Sequence, residues 1–153
     1  DAEVQVELDL PEDLPPVVGQ VVLLEQVLLN LAVNARDALL DRPPGARSLM
    51  ISAAPGPGTE EIRLRLADSG PGLPPEVLER LFEPFFTTKS PGQGTGLGLS
   101  ICRTVMRGLG GRIEAANAPG GGAVFTLVFR RASLPQPAQP AAPAPRWPAA
   151  TGS

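Results

Sequence analysis

The chain has 153 residues, of which 42% are hydrophobic and 19% charged, with a net charge of −3 and a pI near 5.0. Such a balance is typical of a globular domain that buries a core. Because no basic cluster with interleaved aromatics occurs, the composition excludes a general nucleic-acid-binding surface. Histidine and tyrosine are absent, so no reaction can draw an imidazole base or ligand from this chain.

The single cysteine, Cys102, excludes an intramolecular disulfide and fits a reducing compartment. Its apolar helical surroundings favour a role as core filler. The sequence contains no apolar run long enough to cross a bilayer and does not start with the layout of a signal peptide. We therefore expect a cytoplasmic segment that makes no membrane contact.

The first half of the chain alternates strands with one long helix. Alternation over 3–10 predicts a strand, and the uninterrupted apolar pattern over 21–40 predicts a helix. Residues 48–54 and 61–70 predict two further strands around the turn-like PGPGTE (55–60). The residues expected to face inward from the second of these strands are Ile62, Leu64 and Leu66.

The second half predicts two helices and a hairpin. A short helix over 74–82 tolerates Pro75 in its first turn, a second helix over 97–109 stops at two glycines, and 111–130 forms the hairpin. We expect an α+β fold, a two-layer sandwich in which helices cover one face of a mixed sheet. The domain spans 1–131, and the Pro/Ala-rich 132–153 is expected to be a disordered tail.

Three polar residues share one stripe of the long helix. Asn30, Asn34 and Asp37 follow one another at helical spacing beside an apolar arc, so they lie at the border of the core. They could open onto a buried cavity or be solvated amides on a surface helix.

A second polar element, DSGPG (68–72), ends a predicted strand. Its aspartate could hold a carboxylate at the floor of a cleft and accept a charge-assisted hydrogen bond. The other interpretation is an ordinary turn. A dinucleotide fingerprint and a GxxxxGK[ST] phosphate loop are both absent.

The third element is GQGTGLG (92–98), which runs directly into a helix that has no polar cap. Free N–H groups and the helix dipole make such a start a seat for phosphate, and glycines allow close approach. A mobile surface loop is the alternative interpretation. Between the two glycine elements, LFEPFFTTK (81–89) could be a hydrophobic cluster or a docking surface and lid hinge, and Lys89 could reach phosphate.

In this order the segments NLAVNARDA, DSGPG, LFEPFF and GTGLGLS resemble the N, G1, F and G2 boxes of sensor histidine kinase ATP-binding domains. These domains share the Bergerat fold of the GHKL ATPases. The resemblance covers about residues 1 to 131. It implies a two-component signalling phosphotransferase that uses ATP and Mg²⁺, with a lid over about 73–96.

The resemblance also assigns residues. Asn34 would ligate Mg²⁺ with Asn30 nearby, Asp68 would bind the adenine amino group, and Thr126 could lie near the adenine through water. Phe82, Phe85 and Phe86 would meet the helical dimerisation domain that bears the phosphoacceptor histidine. The full set implied for ATP binding is Asn30, Asn34, Asp37, Asp68, Gly70, Gly72, Lys89, Gly94, Thr95, Gly96, Leu97, Gly98 and Thr126.

Two departures sharpen the expectation. Where hydrolysing relatives carry a water-activating glutamate, this chain has Asn30, which favours transfer to a protein over hydrolysis. Because the chain lacks histidine, its partner must supply the histidine that accepts the phosphoryl group. The chain alone should therefore turn over little ATP. A response regulator would be reached only indirectly, through that partner. We infer that it is a portion of a longer kinase. The alternatives are an anti-sigma-type serine kinase and a non-catalytic nucleotide-binding module.

Overall fold

The computed structural model describes residues 3–58, 60–89, 92 and 96–132. Five strands form one mixed sheet in the order β1-β2-β3-β5-β4. The strands β1 and β2 are parallel, and every other neighbouring pair is antiparallel. The strand bounds are β1 Gln5–Asp9, β2 Ser48–Pro55, β3 Glu61–Asp68, β4 Arg112–Asn117 and β5 Ala123–Arg130.

Three α-helices accompany the sheet in the described residues. Helix α1 (Val21–Leu39) connects β1 to β2, as a crossover between parallel strands requires. Helix α2 (Pro75–Arg80) begins with Pro75 in its first turn, and α3 (Gly98–Gly108) precedes the β4–β5 hairpin. A short 3₁₀ turn, Pro44–Ala46, lies before β2. The predicted helices, strands and α+β class are confirmed, with ends shifted by a few residues.

The core lies between the sheet and the helices. The apolar arc of α1 is buried, as its spacing predicts, and Cys102 and Met106 bury the facing side of α3. From β3, Ile62 and Leu66 point into this layer, while Arg65 on the alternate face is exposed. The buried members contributed by α1 are Val27, Leu31, Ala35 and Leu39.

The first strand is an exposed sheet edge. All five residues of β1 are exposed, and Val6 and Leu8 pair with Leu49 and Ile51 of β2. Alternation alone therefore predicts the strand correctly but does not report burial, because burial depends on how far the helix layer reaches.

The loop before α1 pairs with the end of β5 and the residues that follow it. Val18 donates a backbone hydrogen bond to Arg130, and Ala132 donates one to Pro16, at 2.8 and 2.9 Å. The domain thus extends at least to Ala132, whereas the rest of the predicted tail, from 133 onward, lies outside the described residues. None of the helices that the structure describes is long and apolar enough to cross a membrane.

Candidate functional site

Asp68 and Asn34 open onto the same cavity, which has a volume of about 400 Å³. Helix α1 forms one wall, the end of β3 and the start of β5 form the floor, and the segment after α2 forms the opposite wall. This volume lies in the range of pockets that take a small organic ligand. The predicted site residues that line it are Asn30, Asn34, Asp37, Asp68, Gly72, Lys89, Gly96 and Gly98.

Asp68 is the buried acid at the floor, with 7% of its surface exposed. Its Oδ1 accepts hydrogen bonds from the backbone N–H groups of Gly70 at 2.9 Å and Ala123 at 3.2 Å. None of the described residues donates to Oδ2, and the side chain borders the cavity. Asp68 is therefore oriented by one oxygen and offers the other to a ligand.

Glycines allow the floor to close around this carboxylate. A Cβ at Gly70 would lie 2.9 Å from Asp68 Oδ1, and one at Gly122 would overlap the Asp68 carbonyl. Gly72 has a φ of +78°, and a Cβ there would lie 2.8 Å from Asn117 Oδ1. The DSGPG segment is thus a close-packed cavity floor rather than an ordinary surface turn.

Sequence analysis missed Asn117. Its Oδ1 accepts a hydrogen bond from Leu73 N at 2.8 Å, and its Nδ2 donates one to Leu73 O at 2.7 Å. These two bonds fasten the start of the predicted lid to the end of β4. Because Asn117 stands beside APGGG, its local pattern indicates only a turn residue, and its partner lies far away in the chain.

One ion pair connects α1 to the opposite wall. Lys89 Nζ lies 2.6 Å from Asp37 Oδ2 and donates to Asn34 Oδ1 at 3.5 Å. Arg36 binds the other Asp37 oxygen at 3.0 Å. Burial raises the pKa of Asp37, but hydrogen bonds from Lys89 and Arg36 and their charges outweigh it, so the pKa lies below its ordinary value.

The residues around Asn34 fit a hard cation such as Mg²⁺. Asn34 Oδ1 and the Asp37 carboxylate already face one cation, the Lys89 ammonium group. Within the described part of the chain, no group of three or more His, Cys, Asp or Glu side chains surrounds a common point. A Mg²⁺ at Asn34 would therefore take most of its ligands from phosphate and water, as this ion commonly does.

Asn30 faces α3. Its Nδ2 donates to Gly98 O at 3.4 Å and to Cys102 Sγ at 3.7 Å. Burial raises the pKa of the Cys102 thiol, and the Asn30 hydrogen bond only partly opposes this. Asn30 therefore ties the two helices together at the cavity edge, where the structure provides an amide and no carboxylate.

The glycine-rich loop ends at the cavity. Helix α3 starts after Leu97 without a side-chain cap, and Gly96, Gly98 and Leu99 line the cavity. Gly96 has a φ of +70°, and its carbonyl accepts a hydrogen bond from Phe85 N at 2.9 Å. Leu97 lies between two lining residues, whereas Gly94 and Thr95 lie outside the described residues.

Thr126 requires a correction. It pairs with Arg65 and Glu114 in the sheet register, whereas its neighbour Phe125 pairs with Leu66 on the core side. Thr126 thus points to the face opposite the cavity. Along β5 the cavity is lined by Ala123 and Phe125.

The three phenylalanines of LFEPFF lie in different surroundings. Phe82 packs against the core, and Phe86 lines the cavity with the Arg80 guanidinium 4.7 Å from its ring centre. Phe85 is 76% exposed and adopts a φ of 64°, which is unusual for a bulky residue. Of the three, Phe85 presents the most surface to a partner.

Comparison with known proteins agrees with this geometry. Residues 19–133 match the family described as histidine kinase-, DNA gyrase B-, and HSP90-like ATPases. The two-component sensor PprA of Pseudomonas aeruginosa is 45% identical over 139 residues, which is 89% of this chain but only 14% of that protein. The chain therefore spans a small part of this relative.

Solved structures show the same fold. The nucleotide-free catalytic domain of the histidine kinase ThkA matches with a TM-score of 0.70 and 30% identity, over 85% of this chain and 82% of that one. Full-length ShkA in complex with AMPPNP matches with a TM-score of 0.68 and 30% identity, over 87% of this chain and 27% of the ShkA chain. The chain belongs to the histidine kinase-, DNA gyrase B-, and HSP90-like ATPase family, and its fold is that of solved catalytic domains of histidine kinases.

Proposed function

We propose that this domain binds Mg-ATP and presents the γ-phosphate to a histidine on a separate helical dimerisation domain, in two-component signalling. The observation that carries the proposal is the single cavity that joins the Asp68 carboxylate to the Asn34 and Lys89 side chains. An acceptor for an amine and a set of phosphate- and cation-binding groups thus face the same space.

The two ends of the cavity suit the two ends of the nucleotide. Asp68 Oδ2 would accept a hydrogen bond from the adenine amino group, while Gly70 and Gly72 shape the floor around the base. Lys89, the loop from Gly94 to Gly98 and the start of α3 would hold the phosphates. A Mg²⁺ ion at Asn34 would neutralise charge on the phosphate oxygens.

The chemistry favours transfer over hydrolysis. Of the described residues that line the cavity, two carry carboxylates: Asp37 pairs with Lys89 and Arg36, and the Asp68 oxygen without a donor is the one that we propose for adenine. Asn30, an amide, occupies the position where, by the resemblance, hydrolysing relatives carry the glutamate that activates water. Water attack should therefore be slow, and a histidine delivered by the partner would gain the advantage of proximity.

Phe85 is the leading candidate for the docking contact with the helical domain, since it is exposed and its N–H donates a hydrogen bond to the Gly96 carbonyl. Phe82 and Phe86 would support it from below. We place the domain, residues 1–132, in the cytoplasm as part of a longer kinase, with 133–153 as its tail, because Ala132 bonds to Pro16. A response regulator would then receive the phosphoryl group from the helical domain.

Nucleotide binding is tested by titration calorimetry with ATP in the presence of Mg²⁺. We expect one site per chain, and no heat from GTP at the same concentration because its base offers a carbonyl where adenine offers an amine. Absence of ATP binding would reject the proposal.

Phosphotransfer is tested by adding a separately made histidine-bearing helical hairpin and radiolabelled ATP. We expect labelled hairpin whose phosphate is lost in acid, and little phosphate release from the domain alone. An acid-stable product would instead indicate a serine kinase, and fast hydrolysis without the hairpin would contradict the transfer mechanism.

A further inference from the structure

The Lys89 side chain joins the two walls of the cavity. Its ammonium group contacts Asp37 Oδ2 at 2.6 Å and Asn34 Oδ1 at 3.5 Å, both on α1. Lys89 itself belongs to the opposite wall, where its backbone N–H bonds to Thr87 Oγ1 at 3.1 Å. The side chains of Lys89 and Asp37 are 30% and 25% exposed, so this pair is less hydrated than an ordinary surface ion pair.

Lys89 also places its positive charge where a metal ion would bind. It is the one cationic residue among the described residues that line the cavity. Its nitrogen lies at the oxygen of Asn34 that suits a metal ion. Two cations repel strongly at such short distances in a partly buried site, so an ammonium group and a divalent cation cannot share these oxygens.

We infer that Lys89 is a placeholder cation: in the nucleotide-free domain its ammonium group occupies Asn34 and Asp37, excludes free divalent cations and fastens the segment 86–89 to α1. The inference rests on the proposed function, because release of Lys89 requires an anion to receive it. Phosphate oxygens supply that anion, so the metal enters together with the nucleotide rather than before it.

This role differs from phosphate binding alone. A lysine that only binds phosphate needs no partner in the free protein, and its loss would leave the empty site unchanged. A placeholder cation instead has a defined partner at both stages, Asp37 before the nucleotide enters and phosphate afterwards. The two roles therefore make different predictions for the nucleotide-free domain: loss of Lys89 changes the empty site only if Lys89 is a placeholder.

The first test titrates the nucleotide-free domain with Mn²⁺ and follows paramagnetic broadening of the Asn34 side-chain amide signals. Lys89→Met should bind Mn²⁺ at least about fivefold more tightly than wild type, since the competing charge is removed. Lys89→Arg keeps the charge and should behave like wild type. Arg36→Met is the matched control, because Arg36 binds the same carboxylate from outside the cavity. This variant should change the Mn²⁺ affinity by less than about twofold.

Equal Mn²⁺ affinity of wild type and Lys89→Met would overturn the inference. So would an equal gain in Arg36→Met, since that would reflect net charge rather than position. Because no nucleotide is present, this failure is distinct from that of the proposed function, which calorimetry with ATP judges separately.

The second test measures hydrogen exchange of the amides at 86–89. Without nucleotide, Asp37→Asn and Lys89→Met should both exchange at least about threefold faster than wild type, because each breaks the link to α1. With a saturating non-hydrolysable ATP analogue, Asp37→Asn should regain wild-type protection, since Lys89 can still pair with phosphate. Unchanged exchange in both variants, or full recovery in Lys89→Met, would overturn the inference.

Discussion

The carbonyl of Asp68 lies directly against Gly122, so the acid at the cavity floor and the first residue before β5 fit together only while residue 122 has no side chain. Gly122 also has a φ of +83°. This contact brings the N–H of Ala123 to Asp68 Oδ1. The β4–β5 turn thus helps to orient the carboxylate that is proposed to bind adenine.

Gly122→Ala should therefore damage both the fold and the site. The left-handed backbone alone costs about 1–2 kcal/mol for alanine, and the overlap with Asp68 adds to it. We expect a lower free energy of unfolding in urea and loss of ATP binding. Gly120→Ala is the control, because nothing lies within 4 Å of a Cβ there; equal stability of the two variants would contradict the close contact.

Asp68→Asn should separate binding from folding. The N–H groups of Gly70 and Ala123 still require an acceptor, so the amide oxygen takes the place of Oδ1 and the NH₂ group faces the cavity. A donor would then face the adenine amine. We expect the ATP affinity measured by calorimetry to fall by roughly tenfold to a hundredfold, because the variant loses a hydrogen bond to a charged group.

Urea unfolding should distinguish Asp68→Asn from Asp68→Ala, with the alanine variant having the lower free energy of unfolding. The alanine variant leaves buried N–H donors without an acceptor, at about 1–3 kcal/mol each. Wild-type ATP affinity in Asp68→Asn would show that this carboxylate does not bind the base.

The two asparagines of α1 should behave differently. Asn30→Ala removes hydrogen bonds to Gly98 O and Cys102 Sγ and should cost about 1 kcal/mol of stability. The one hydrogen bond of the Asn34 side chain to the described residues comes from Lys89, so Asn34→Ala should change stability by less than about 0.5 kcal/mol. It should instead abolish the dependence of ATP affinity on Mg²⁺, and a retained dependence would place the metal elsewhere.

Cys102 should report folding through its thiol. It is fully buried, and burial raises its pKa above its ordinary value of 9.0. As the pH rises through this value, the unfolded thiol ionises before the folded one, so the contribution of Cys102 to stability is present below about pH 9 and is lost above it. Iodoacetamide should label the protein only when it unfolds; rapid labelling of the folded domain at pH 8 would contradict this burial.

Local sequence patterns predicted most secondary structure correctly. Helix α1 follows from an apolar period that needs no partner to be recognised, and β3 follows from strict alternation. These features depend on neighbours within a few residues. The order of the four motifs led to the family through resemblance to known sequences rather than through periodicity.

The direction in which side chains face depended on the tertiary structure. The resemblance suggested that Thr126 lies near the adenine, but the strand register places it on the face opposite the cavity, and local sequence does not fix that register. Likewise LFEPFF could be a hydrophobic cluster or a docking surface and hinge, and only the structure shows that its phenylalanines lie in different surroundings, with a left-handed backbone at Phe85.

The sequence alone therefore determined the elements, the motifs and the kind of site. Only the tertiary structure decided which residues meet: Asn117 with Leu73, Gly122 with Asp68, and Lys89 with Asp37 and Asn34. Each of these contacts joins distant parts of the chain through hydrogen bonds, packing or charge. Such contacts leave no periodic signal, because their geometry exists only after the sheet and helices have packed.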